Sequence, residues 1–319
     1  MRLIFLGSGS FGLPTLEHLH AQHELLAVVT QPDRPAGRKR VMTPTPVGQW
    51  AAAQGMPTFK EDNVNTPDFV QQVRDLKPDA AVVIAFGQKL SPELIDALGE
   101  LAVNLHSSLL PRYRGAAPIN WAMINNDKVT GVSVIGLAQR MDAGQIYAMD
   151  TLTIDPRETA GELHDRLAKL GPDAVGRVLY DLQRNTLNAI PQDDRLATKA
   201  PKLGRSDGTV DFNQPADQVR ARIHGLTPWP GCKVVWQRDE HPSEAPEVLT
   251  LLRVESDPTP VPGNPAPGTV LENNRIACHP GTVTPLELQR PGKRAMTLKD
   301  FTAGHPLIPG QRMTAIDDT

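Results

Sequence analysis

The run Ala80–Ala85 (AAVVIA) carries no polar residue at all. A short element buried on both faces needs such a run, because it has no solvent side to mark by alternation. Apolar runs recur at Arg2–Leu6, Leu25–Thr30, Leu101–His106, Val132–Leu137 and Ile146–Ile154. Helical patterns lie between them at Pro14–Gln22, Pro46–Gln54, Thr66–Leu76, Ser91–Leu98 and Pro118–Asn125. Thr159–Asn185 reads as one long helix opened by a capping box of Thr159 and Glu162. Strands alternating with helices predict an α/β fold with a doubly wound, mostly parallel sheet.

The pattern fails over residues 186–205, which read as a linker between a first domain, 1–185, and a second, 206–319. The second holds one helical pattern, Pro215–His224, and short strands at Lys233–Gln237, Val248–Val254, Gly268–Glu272, Arg275–Ala277 and Thr282–Leu288. Pro, Gly and Asn turns separate them, as in a small β-barrel or sandwich. A length of 319 residues suits two domains. The net charge of −3 excludes a protein that is basic over its whole surface. Two cysteines exclude a disulfide framework and point to a reducing cytoplasm. The longest apolar stretch falls far short of the ~20 residues of a membrane helix. The start, MRLIFLGSGS, does not read as a signal peptide.

Two constellations carry chemistry. Gly7-Ser-Gly-Ser-Phe-Gly12 fits a dinucleotide fingerprint after a strand, with Asp33 near the position of a ribose-binding acid. The plain alternative is a Gly-rich strand-to-helix turn. The other is Asn104-Leu-His106 at the end of a strand. Residues two apart share a face of a strand. An amide beside an imidazole suits acyl transfer: the amide N–H holds an oxyanion, and the imidazole moves a proton at neutral pH. Asp142, in the turn Met141-Asp-Ala-Gly144, is the carboxylate that completes the set.

Asn104-x-His106 with Ser108-Leu-Leu-Pro111, then Arg112-Tyr-Arg-Gly-Ala-Ala-Pro118 and Met141-Asp-Ala-Gly144, resembles the folate-dependent formyltransferases. Thr30-Gln-Pro-Asp-Arg-Pro-Ala-Gly-Arg38, Pro228-Trp-Pro230 and Leu288–Met296 are similar to the branch that acts on methionyl-tRNA. The resemblance runs over nearly the whole chain. It implies a Rossmann-like catalytic domain and an OB-like C-terminal barrel that binds tRNA. The implied reaction passes a formyl group from 10-formyltetrahydrofolate to the α-amino group of initiator methionyl-tRNA. Asn104, His106 and Asp142 then match the catalytic residues. Ser108, Leu109, Leu110 and Pro111 match the folate-binding segment, and Phe86, Gly87 and Gln88 a pterin-side loop. No metal is implied, and a monomer is expected. The sequence departs from the family at Ser8-Gly9, where Thr-Pro is usual, and at Ser107, where Gly is usual.

The acceptor side rests on cations. Arg34, Arg38, Lys39 and Arg40 crowd one loop, which Pro32, Pro35, Gly37 and Pro44 keep out of helix or strand. Lys202, Arg205, Lys293 and Arg294 join them on the tRNA side. Residues 206–319 hold 11 basic and 14 acidic side chains, so tRNA binding is confined to a stripe. Two other classes stay open on the residues alone: an NAD-dependent oxidoreductase using Gly7–Gly12, and a non-catalytic nucleic-acid module. Within the family, an amino-sugar or glycinamide acceptor is the alternative.

Overall fold

The computed structural model describes residues 1–37, 39–237 and 246–316. They form two compact units: Met1–Gly115, Gly131–Leu152 and His164–Lys199 in the first, Ala116–Thr130, Thr153–Leu163 and Ala200–Thr319 in the second.

The first unit is built on a seven-stranded sheet. Its strands are β1 (Arg2–Gly7), β2 (Glu24–Thr30), β3 (Thr58–Lys60), β4 (Ala80–Ile84), β5 (Leu101–His106), β6 (Val129–Gly136) and β7 (Ile146–Thr153). The spatial order is β7-β6-β5-β4-β1-β2-β3. The β3, β2, β1, β4 and β5 neighbours pair in parallel, and β6 runs antiparallel to β5. Every residue of β4 is buried, as its unbroken apolar run requires. From β1 the chain winds out to β2 and β3, then returns to the other side for β4. The crevice at the carboxyl ends of β1 and β4 is therefore a topological switch point, where open α/β sheets bind ligands.

Helices α1 (Leu13–Gln22), α2 (Pro46–Ala53), α3 (Pro67–Leu76) and α4 (Pro92–Ala97) connect these strands. In α3, Phe69, Val70 and Val73 line the buried face. Thr66 caps its first turn, Pro67 opens it, and Lys77 ends it at φ 49°. After α5 (Pro118–Ile124), the long helix expected over 159–185 is two helices, α6 (Ala160–Ala168) and α7 (Gly171–Gln183). The break has a cause in sequence. Pro172 has no N–H to continue the ladder and clashes with the carbonyl four residues back. Gly171 also lies so close to Thr15 and Leu105 that a Cβ would sit 2.3 Å from Thr15 Oγ1.

The loop expected to avoid regular structure is instead a hairpin, with Arg34–Ala36 paired to Val41–Thr43. Its prolines do not prevent this, because a two-stranded ribbon leaves one N–H edge of each strand unpaired.

The second unit contains α8 (Ala216–Gly225), β8 (Cys232–Gln237), β9 (Glu247–Asp257), β10 (Ile276–Ala277), β11 (Thr282–Gln289), β12 (Ala295–Thr297), α9 (Leu298–Gly304) and β13 (Arg312–Ala315). The antiparallel order is β10-β11-β9-β8-β13, with β12 on β11. The strand expected at Gly268–Glu272 is reduced to two single bridges. Those bridges close the sheet: Thr269 pairs with Arg312 on one edge strand, and Val270 with Ile276 on the other. A near-closed barrel leaves little edge exposed. Trp236 and Phe301 meet in its core at 5.6 Å, and Trp236 Nε1 donates to Gln311 Oε1. Cys232 and Cys278 are free and buried, and burial pushes both thiols up to about 12. Among the described residues no helix is long and apolar enough to cross a membrane.

Candidate active site

The Gly-rich turn after β1 is occupied by its own protein. Ser8 Oγ donates to the Phe86 carbonyl and accepts from the Gln31 N–H, both at 3.1 Å, so one hydroxyl ties together the ends of β1, β2 and β4. A Cβ on Gly7 would fall 2.9 Å from the Ile84 carbonyl oxygen, so this glycine serves strand packing. Asp33 does not wait for a ribose: Lys60 Nζ holds it at 2.6 Å. The loop after β4 is equally committed. Phe86 is buried, Gly87 adopts φ 89°, and Gln88 accepts from Val64 N–H and donates to the Glu61 carbonyl.

At the end of β5 the alternation places Asn104 and His106 on one face. Asn104 lies opposite Val83 on β4 and Ile135 on β6. It is half-buried, and among the described residues nothing hydrogen-bonds its amide. His106 is buried, and its Nε2 lies 2.9 Å from the Tyr113 carbonyl oxygen. A carbonyl only accepts, so Nε2 carries a proton. Nδ1 faces Asp142 Oδ1 at 3.8 Å, an ion-pair distance too long for a direct hydrogen bond.

Asp142 reaches this position from a left-handed backbone, φ 55°. Its Oδ2 accepts from Gly115 N–H at 2.8 Å. The turn depends on Gly144, where a Cβ would lie 1.8 Å from the Gly136 carbonyl oxygen. The structure brings the His106 imidazole to face the Asp142 carboxylate, and Asn104 lies two residues before His106 on the same face of β5.

The stretch Ser108–Pro111 follows as a tight loop. Ser108 Oγ donates to the Arg112 carbonyl at 2.7 Å. Ser133 on β6 holds the loop from beneath, donating to the Ser108 carbonyl and accepting from Leu110 N–H. Leu110 is buried with Ile135 and Ile146, Leu109 is half-buried, and the Leu110–Pro111 bond is cis.

The predicted cations divide. Arg34 is exposed on the hairpin and lies 3.8 Å from Asp62, while Lys39 and Arg40 are exposed at its turn. Arg38 lies outside the described residues. Lys202, Arg205, Lys293 and Arg294 are exposed on the second unit. Sequence reasoning missed Gln192 and Thr198, polar residues in what reads as a linker, which bond to the site's backbone from far along the chain.

Residues 1–179 match the family model described as formyl transferase, and residues 202–306 match the formyl transferase C-terminal domain. The chain belongs to the formyl transferase family. It is 37% identical over 317 residues to a methionyl-tRNA formyltransferase of Moorella thermoacetica, covering 98% of each chain. A relative of the same name from Geobacter sulfurreducens is 38% identical over 319 residues, covering 98% of this chain and 96% of its own. Among solved formyl transferase folds, the sugar 3N-formyl transferase WlaRD superposes with a TM-score of 0.65 at 13% identity, over 92% of this chain and 99% of that one. HypX from Aquifex aeolicus, solved with tetrahydrofolic acid, gives 0.61 at 16% identity, over 95% of this chain and 47% of its own. At these identities the two structures establish the fold alone. The family match answers the dinucleotide reading, and Gly7 and Asp33 already have structural tasks.

Proposed function

We propose that this chain transfers the formyl group of 10-formyltetrahydrofolate to the α-amino group of methionine esterified to initiator tRNA. What supports the reading is end-to-end similarity to relatives of that name, joined to the His106–Asp142 pair and to Asn104 on the same face of β5. Asn104 is the oxyanion donor: its amide has no internal partner to give up among the described residues. The amine attacks the formyl carbon and the carbonyl electrons move to oxygen. Collapse of that intermediate breaks the bond to N10 of the folate, and the proton lost by the amine ends on N10. Nε2 of His106 is committed to the Tyr113 carbonyl, so Nδ1 takes and returns the proton beside Asp142. Ser108–Pro111 and the backbone of Phe86–Gln88 form the folate side.

The acceptor side in this reading is Arg34, Lys39 and Arg40 on the hairpin, with Arg38 beside them in sequence, and Lys202, Arg205, Lys293 and Arg294 on the second unit. Cations on phosphates give affinity that falls with salt. Reversing Arg38 and Arg40 to Glu is expected to raise the KM for tRNA and leave that for folate unchanged. The salt slope should flatten by about 0.7–0.9 for each phosphate that is no longer neutralised. Steady-state kinetics across a salt series check this, and an equal rise in both KM values overturns the hairpin's role. The decisive assay for the function supplies methionyl-tRNA and 10-formyltetrahydrofolate and looks for formylmethionine after deacylation. Its absence ends the reading.

A further inference from the structure

We infer that Gln192 and Thr198 are positioning residues for the transfer reaction, because one short stretch of chain holds the partners on both sides of the His106 imidazole. The inference rests on the proposed reaction.

On the Nδ1 side, Gln192 grips the turn that carries Asp142. Its Nε2 donates to the Asp142 carbonyl at 2.8 Å and to the Gly144 carbonyl at 2.7 Å. Its Oε1 accepts from Arg114 Nε at 3.1 Å and Nη2 at 2.7 Å. An amide offers two donor hydrogens and two acceptor lone pairs, and here all four are used. The amide cannot flip, since that would set its hydrogens against a guanidinium and its oxygen against two carbonyls. Arg114 is itself anchored, with Nη1 at 2.9 Å from Asp194 Oδ1. Asp194 also takes Arg140 at 2.7 Å, from the loop that leads into Asp142.

On the Nε2 side, Thr198 fixes the carbonyl that His106 meets. Its Oγ1 accepts from Tyr113 N–H at 2.8 Å, and its own carbonyl accepts from Arg114 N–H at 2.9 Å. Tyr113 is thereby held at φ 62°, with its carbonyl toward His106 Nε2. Asp142 and Tyr113 both hold left-handed backbone that non-glycine residues seldom adopt. Residues 192 to 198 supply hydrogen bonds to each.

The test uses the full-length protein. Gln192→Glu keeps the shape of the side chain but sets a carboxylate against the Asp142 and Gly144 carbonyls. It is expected to lower kcat about tenfold or more while both KM values stay within about twofold, as removal of a supporting hydrogen bond does. The exchange of Gly115 N–H, which donates to Asp142 Oδ2, should accelerate about tenfold by NMR as the turn loosens. Thr198→Val should show the same fall in kcat, and Thr198→Ser, which retains the hydroxyl, should restore it. If both isosteric variants fold and keep wild-type kcat and Gly115 exchange, the inference is overturned. The exchange measurement needs no acceptor, so a wild-type protein unable to formylate methionyl-tRNA would defeat the functional reading alone.

Discussion

Asn104→Ala is expected to lower kcat about 10²–10³-fold with little change in folding stability, as loss of a single oxyanion donor does. The two halves of that expectation have separate causes. The activity falls because the N–H that meets the developing oxygen charge is gone. The stability is spared because, among the described residues, the Asn104 amide bonds to nothing in the free protein. Its strand neighbours Val83 and Ile135 pair through backbone, which the substitution leaves intact. Single-turnover formylation and a thermal melt on the same preparation check both halves. A kcat within about threefold of wild type would remove Asn104 from an oxyanion role. A large fall in melting temperature would mean that the side chain carries the fold.

His106 and Asn104 were legible because period two is a local property: the spacing alone puts both on one face. The parallel strands were legible for the same reason, since an apolar run such as Ala80–Ile84 states its own burial. The features that escaped are those set by distant partners. Gln192 lies 50 residues from Asp142, and Thr198 lies 85 from Tyr113, so nothing near either residue marks it out from solvated linker. The hairpin at 34–43 escaped because its prolines carry the local signal of a loop, while the ribbon tolerates them. The split of α6 from α7 was available in Gly171-Pro172, and the helical period on either side masked it. Asp33 is the opposite case. Its spacing from Gly12 fits a ribose ligand, and only the structure reveals Lys60 already on it.

Acid is expected to destabilise the second unit through one buried imidazole. His224 on α8 is fully buried, and Val254 N–H on β9 donates to its Nε2 at 3.0 Å. That nitrogen must keep its lone pair, so the proton is on Nδ1 and the ring is neutral. Burial, with the Arg220 and Arg253 guanidiniums nearby, pushes its pKa down from 6.5 to about 4. Between those values the unfolded chain binds a proton that the folded one refuses. Stability is therefore complete above pH 6.5, declines as pH falls below it, and levels off near pH 4, where the folded imidazole also charges. At about 1.36 kcal/mol per pH unit, the full loss comes to roughly 3 kcal/mol, with roughly 2 kcal/mol already gone at about pH 5. Denaturant unfolding at about pH 7 and about pH 5, for wild type and His224→Gln, isolates this contribution, because carboxylates titrate alike in both proteins. The glutamine oxygen can still accept from Val254 N–H but does not ionise, so the variant should lose less stability between the two pH values by that same roughly 2 kcal/mol. Equal losses in the two proteins would place the acid sensitivity elsewhere.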